Sequence, residues 1–321
     1  TNPAADNKAV VRYIIDKAQR EGFVHVYPIG AMTKGLRGEE LADIGEMKQA
    51  GIVGVSDDGH SVENSQVMQR VMVYAQMFDV TVICHSEDSN LSDGGVMNEG
   101  ALSTMMGLRG ISKASEEIMI ARDIILSERT GVPIHLCHVS TALGVDLVRQ
   151  AKQRGAAVTA ETCPHYFTLT EKACEGYNTL AKMNPPLRNE EDVEAIIRGL
   201  QDGTLDIIAT DHAPHHADEK NVEFDQAANG IIGFETALPL AYTALVKTGR
   251  ITMPQLVYKM SKKPAEILKL DKGGLLPGKL ADVIIFNPHE SYAVDVNKMV
   301  SKSKNSPYHG WSVTGRTTTT I

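Results

Sequence analysis

Short apolar runs alternate with segments of helical period along most of this 321-residue chain, and no other feature restricts its fold as strongly. The runs fall at about 23–29 (Phe-Val-His-Val-Tyr-Pro-Ile), 52–56, 80–84, 132–137, 156–160 and 205–209. Each is short, apolar and bounded by turn residues, so each reads as a buried strand. Between them Val67, Met68, Val71, Tyr74, Ala75 and Phe78 share one helical stripe, as do Ile118, Ala121, Ile125 and Leu126. Asn189 ahead of Glu190, Glu191 and Asp192 predicts an N-cap, with a helix running to about Leu200. Gly131 and Gly155 follow helical segments and precede strands, which predicts φ > 0 at both. Strand and helix in alternation make a parallel sheet covered by helices.

The length suits a single α/β barrel with a small addition. From Lys272 onward turn residues flank a short apolar run and the helical stripe is lost, so a barrel is expected over 1–271 and a small β subdomain over 272–321. Lys and Arg total 32 against 40 Asp and Glu, for a formal charge of -8, which excludes a basic face for nucleic acid. No apolar run approaches the roughly 20 residues that span a bilayer, and the first residues carry no secretory pattern. The four cysteines include no C-x-x-C pair and are expected to be reduced, in a soluble, cytoplasmic protein.

Acidic and imidazole side chains cluster where the predicted strands end. The second run ends in Ser56-Asp57-Asp58-Gly59, the third in His85-Ser86-Glu87-Asp88, the fourth in His138-Val139-Ser140, the fifth in Cys163-Pro164-His165 and the sixth in Asp211-His212-Ala213-Pro214-His215-His216. In a parallel barrel all C-terminal strand ends open on one face, so these groups converge. Two histidines and two carboxylates suit zinc or a similar divalent ion. Cys84 and Cys137 immediately precede His85 and His138; if each imidazole faces the barrel axis, each thiol faces the helices.

Competing readings stand beside these. His25 sits among apolar residues and reads as a core histidine, while His135 shares a strand face with His138 and could line the barrel or assist a ligand. Asp57 and Asp58 could form a simple Asp-Gly turn. Asp211 could ligate a metal and accept the proton of the attacking water, or belong to a solvated loop. The polar stretch His216–Lys220 reads as a mobile loop over the site. Asn184-Pro185-Pro186-Leu187-Arg188 could present Asn184 to a substrate amide or be a turn, and Gly230-Ile231-Ile232-Gly233 could offer backbone N–H groups to a ligand.

Taken together, these motifs resemble the amidohydrolase superfamily and, within it, the class I dihydroorotases. Besides the strand ends, Val96–Gly100, Glu116–Arg122, His135–Ser140 and Gly278–Asp282 resemble that family in order and spacing, across essentially the whole chain. The resemblance implies a (β/α)8 TIM barrel that reversibly cyclises N-carbamoyl-L-aspartate to dihydroorotate. It implies Asp58 bridging or ligating two metal ions, His85 and His138 holding the second, and Asp211 ligating the first while serving as general base and acid. It assigns Asn184, His215 and Gly233 to substrate binding and zinc, as one or two divalent ions, to the cofactor, and leaves open both a homodimer and an association with aspartate carbamoyltransferase. Allantoinases and hydantoinases are the alternative of the same fold, and an inactive scaffold subunit is the alternative of another class. Asp58, in place of the carbamylated lysine bridge of allantoinases and dihydropyrimidinases, favours dihydroorotase. The family's first His-x-His strand and its second strand precede the position of Thr1, so strands 3 to 8 are expected here and roughly 90 residues upstream. Alone, residues 1–321 would lack two metal histidines and the substrate carboxylate's Arg and Asn.

Overall fold

The computed structural model describes residues 2–321; Thr1, which opens the Thr-Asn-Pro segment, lies outside the described residues. Eight short strands precede residue 210: β1 (Ile29–Gly30), β2 (Gly54–Val55), β3 (Thr81–Cys84), β4 (Met97–Asn98), β5 (Gly110–Ile111), β6 (Ile134–Leu136), β7 (Val158–Thr162) and β8 (Ile207–Ile208). Six form one parallel sheet in the order β1-β2-β3-β6-β7-β8, and β4 pairs separately with β5. The strands are short because the apolar runs are short. Val55, Val82, Leu136 and Ala160 are fully buried, as expected of a parallel sheet covered on both faces. At Gly54 a Cβ would come within 2.8 Å of the Ile83 side chain, so glycine there allows β2 and β3 to close up.

Helices Ser65–Met77, Lys113–Thr130, Ala142–Gln153 and Glu190–Asp202 form the outer layer. Asn189 caps the last of these, accepting from the N–H groups of Glu191 and Asp192. Gly131 and Gly155 have φ of 71° and 82°, the left-handed conformation that ends a helix where a Cβ would be strained. The remaining chain supplies β9 (Ile284–Ala293) and β10 (Ser312–Thr320), an antiparallel pair, so the threonine-rich tail is a strand.

Two expectations are corrected. Of the run 23–29 only Ile29 is in a strand; Phe23, Val24, Val26 and Tyr27 are exposed, and His25 lies on the surface with its Nδ1 3.4 Å from Asp282. The apolar residues there have no helix or strand to cover them among the described residues, so composition alone mistook an exposed connection for core. On the helix Lys113–Thr130, Ile118 and Ile125 face solvent, whereas Glu116, Met119, Ile120, Asp123 and Ile124 are buried. Two buried carboxylates on the inner face, each with an arginine partner, displace the apolar stripe from where hydropathy puts it.

Candidate metal centre and active site

Parallel strands deliver their C-terminal ends to one rim, and the local chain does the rest. His85 directly follows β3, His138 lies two residues past β6, Asp58 three past β2 and Asp211 three past β8. The histidines are almost fully buried, while the Asp58 side chain keeps about half its surface. His85 Nδ1 lies 3.0 Å from Asp58 Oδ1 and 3.0 Å from His138 Nε2, and His138 Nε2 lies 3.1 Å from that same oxygen.

Hydrogen bonding accounts poorly for this triangle. Two facing imidazole nitrogens share one proton at most, and here both also crowd one carboxylate oxygen. Donors around a tetrahedral ion at about 2.0–2.2 Å sit roughly 3.3–3.6 Å apart, so a small outward relaxation turns the triangle into a ligand set. His138 Nδ1 is buried without a hydrogen-bond partner among the described residues, so no bond on that side of the ring orients it. The three residues therefore fit a divalent cation.

The electrostatics agree. Burial works against an ionised Asp58, but hydrogen bonds from His138 and His85 outweigh it and hold the carboxyl well below its usual range. Burial opposes a charged His85, yet Asp58 and Glu87 push it up to about 9, and Asp58 likewise raises His138 against burial. Negative charge gathered around two imidazoles is a surrounding that favours a cation.

Glu87 carries no role in the sequence reading, although the structure puts it at the centre. Its Oε2 lies 3.1 Å from His85 Nε2 and accepts from Asn184 Nδ2 at 2.8 Å. Burial raises the Glu87 carboxyl, but hydrogen bonding, first from His85, brings it down to about 2. The signal was present in His85-Ser86-Glu87: alternate side chains of an extended segment point the same way. Asn184 is thus joined to His85 through one carboxylate. His135 stands apart, with its ring nitrogens 2.9 Å from Thr159 Oγ1 and 3.0 Å from Glu161 Oε2.

Asp211 gathers with Cys163 and His165, their ligand-type atoms all within 4.8 Å of one another. Burial raises the Asp211 carboxyl, and the charges of His138 and Asp58 both act on it. Burial, with the nearby Asp211 charge, keeps Cys163 a thiol, while burial holds His165 neutral at about 3. His138 and Asp211 share a backbone peculiarity, φ of 34° and 48°. Non-glycine residues adopt this region uncommonly, Asp and His more readily than most, and Leu36, Asp79, Tyr177 and Lys269 do so here as well.

The segment around Gly233 supports Asp211 rather than offering free donors. Gly233 N–H donates to His212 Nδ1 at 3.0 Å, Gly230 N–H to the Lys182 carbonyl and Ile232 N–H to the Asn305 carbonyl. The expectation that this stretch offers backbone N–H groups to a ligand is therefore corrected at Gly230, Ile232 and Gly233. His212 also stacks on Phe234, with ring centroids 3.8 Å apart. A Cβ at position 233 would meet the Thr210 carbonyl at 2.8 Å, so only glycine lets the two segments approach this closely.

His215 lies on the rim of a cleft of about 600 Å³ bounded by Tyr177, Lys302 and Asn305, its Nε2 2.8 Å from the Asn229 carbonyl. The stretch His216–Lys220, read as a mobile loop, contains a short helix, Ala217–Lys220, and is anchored. The ammonium of Lys220 is buried and donates to the carbonyls of Thr179, Lys182 and Ala228. A charged residue in a polar stretch suggested solvent; backbone carbonyls hold it instead. Asp57 is buried and structural, accepting from the N–H groups of Met32 and Thr33.

Imidazole and carboxylate donors collected on the C-terminal rim of a parallel α/β sheet define a metal-dependent hydrolase. A family model described as dihydro-orotase-like matches residues 1–143. The chain is 63% identical to the dihydroorotase of Acetivibrio thermocellus over 98% of this chain and 74% of that protein. It is 60% identical to the dihydroorotase of Ruminiclostridium cellulolyticum over 100% of this chain and 75% of that protein. Among solved structures, the L-hydantoinase (dihydropyrimidinase) from Arthrobacter aurescens aligns with a TM-score of 0.88, covering 100% of this chain and 74% of that one at 24% identity, a likeness of fold. The chain belongs to the dihydroorotase family, a metal-dependent amidohydrolase type. No helix among the described residues is long and apolar enough to cross a membrane.

Proposed function

We propose that this chain carries the proton-transfer and metal-holding residues of a dihydroorotase, which closes N-carbamoyl-L-aspartate to dihydroorotate and hydrolyses the ring in reverse. The observation that carries the reading is the triangle of Asp58, His85 and His138, with a half-buried Asp211 close enough to feel its charge. Asp58, His85 and His138 would hold zinc, with Asp211 contributing to the set. Zinc bound there supplies positive charge that polarises an amide carbonyl and favours ionisation of water.

The chain's own residues do the rest. In the hydrolytic direction Asp211 accepts a proton from the attacking water and returns it to the ring nitrogen as the C–N bond breaks. Its carboxyl is raised by burial, which moves it toward the working pH of a general base. Asn184, held by Glu87, presents its amide to the ring, and His215 contacts the substrate from the opposite loop in this reading. Gly233 serves the substrate indirectly, by holding the His212 beside Asp211. Association with a second copy or with aspartate carbamoyltransferase, and a cytoplasmic setting, rest on the family resemblance alone.

The test is Asp211→Asn in the full-length enzyme, assayed with dihydroorotate. Turnover should fall by about 10² to 10⁴-fold, the usual contribution of general acid–base catalysis, with much of the metal still bound. A variant within a few-fold of wild type refutes the role. Turnover of allantoin or dihydrouracil without turnover of dihydroorotate refutes the substrate.

A further inference from the structure

Four motifs that the chemistry above leaves unused meet at one buried point behind the rim: Asn98 of the Val96–Gly100 segment, Glu116 of the long helix, Ser140 after His138, and Arg188 after Asn184. All four are at most 3% exposed. The Glu116 carboxylate accepts from the N–H groups of Ser140 at 2.8 Å and Thr141 at 3.1 Å, and from the Ser140 hydroxyl. Arg188 donates through Nη2 to Glu116 at 3.3 Å, through Nε to Ser140 Oγ at 3.0 Å and through Nη1 to Asn98 Oδ1 at 2.9 Å.

The connectivity matters more than the burial. Glu116 takes up the backbone N–H groups two and three residues past the left-handed turn at His138, those of Ser140 and Thr141, so it fixes the segment on which that imidazole hangs. Arg188 ends the segment that presents Asn184. Ser140 Oγ lies between them, accepting from Arg188 and donating to Glu116. One ion pair, bridged by one hydroxyl, therefore holds the loop of a metal ligand against the loop of a substrate contact. A buried pair of this kind stabilises a fold little, compared with apolar residues of the same volume. It does impose one relative position on the two loops, because Glu116, Ser140 and Arg188 each bond to both of the others.

We propose that Glu116 and Arg188 are positioning residues, and that their pairing through Ser140 couples cation affinity at His138 to substrate affinity at Asn184. This rests on the dihydroorotase reading for the substrate side alone; the cation side stands on geometry. Loosening the bridge should weaken both ends in the same variant. Loss of an outer partner of a metal ligand typically costs about 10- to 100-fold in metal affinity or activity.

The experiment uses the full-length, metal-loaded enzyme with Glu116→Gln, Arg188→Lys and Ser140→Ala. Release of zinc to a chelator, the visible spectrum of the cobalt-substituted protein, and KM and kcat for dihydroorotate are measured for each. The expected result is faster zinc release, a shifted cobalt spectrum and a KM raised by about tenfold or more, with circular dichroism unchanged. Ser140→Ala leaves the two charges paired and removes only the bridging hydroxyl, so it serves if the charge variants fail to fold. An unchanged cobalt spectrum and zinc release in a folded Ser140→Ala or Glu116→Gln variant overturns the proposal. So does a change at the metal with KM unaltered. If wild type turns over no dihydroorotate, the functional reading fails by itself, and the metal measurements still decide whether Glu116 and Arg188 position His138.

Discussion

Asp123 offers a prediction whose sign and size both follow from the structure. It lies on the inner face of the helix Lys113–Thr130, 1% exposed, with Oδ1 held by Arg122 at 2.8 Å and Oδ2 buried without a partner among the described residues. The Cys84 thiol, one residue before His85, borders the same small cavity as Asp123. Burial pushes the Asp123 carboxyl up from 3.8 to about 6, against the opposing pull of Arg122. Between those values the folded protein binds a proton that the unfolded chain has released, so stability falls as pH rises through the window. A gap of roughly two pH units corresponds to about 3 kcal/mol. Asp123→Asn retains an oxygen for Arg122 and cannot ionise. The stability of the variant relative to wild type should therefore climb by about 3 kcal/mol between about pH 4 and pH 6, and stay level above that. Equilibrium urea unfolding of both proteins at intervals from pH 4 to pH 8 reads this directly. A difference that is constant with pH, or that shrinks as pH rises, shows that Asp123 is not held protonated by its surroundings, and the reasoning fails.

Other outcomes follow from the rim. A His85→Ala, His138→Ala double variant should lose bound metal on dialysis, because two of three converging donors are gone; metal analysis matching wild type would remove these residues from the ligand set. Glu87→Gln keeps the shape of the side chain but removes the charge facing His85, so metal affinity or turnover should drop by about 10- to 100-fold. Isothermal titration with zinc and steady-state assays check it, and wild-type values in both would return Glu87 to a structural role.

How much of the site the sequence showed depends on what each feature required. The convergence of Asp58, His85, His138 and Asp211 was legible because a parallel sheet turns a sequence position, one to three residues past a strand, into a place on one rim. That argument needs only strand ends, and it survives errors of two residues such as the one at β7, read as 156–160 and found at Val158–Thr162. Side-chain direction was not legible to the same degree. The left-handed turns at His138 and Asp211 fall on residue types that adopt φ > 0 more readily than most, but the chain has many other Asp and His residues, so propensity does not single these two out. Gly233 looked like a ligand-binding glycine, yet its N–H is spent on His212 and its missing Cβ on a carbonyl of the next segment.

The errors share a cause with the network behind the rim. Hydropathy assumes that polar means outside, and on the helix Lys113–Thr130 that assumption fails at Glu116 and Asp123, both buried and both paired with arginine. It fails again at Lys220, a buried ammonium satisfied by three backbone carbonyls. Asp123 has its partner next to it in Arg122, but the other two depend on partners far away in sequence: Glu116 on Ser140 and Arg188, and Lys220 on Thr179 and Lys182. No local window contains them. The opposite failure, at Phe23 to Tyr27, has the same logic, because an apolar run is buried only where another element arrives to cover it. Local pattern therefore located most of the sheet's strands and the rim, whereas the interior polar contacts that hold the loops of His138, Asn184 and His212 in place are long-range and emerge only from the folded chain.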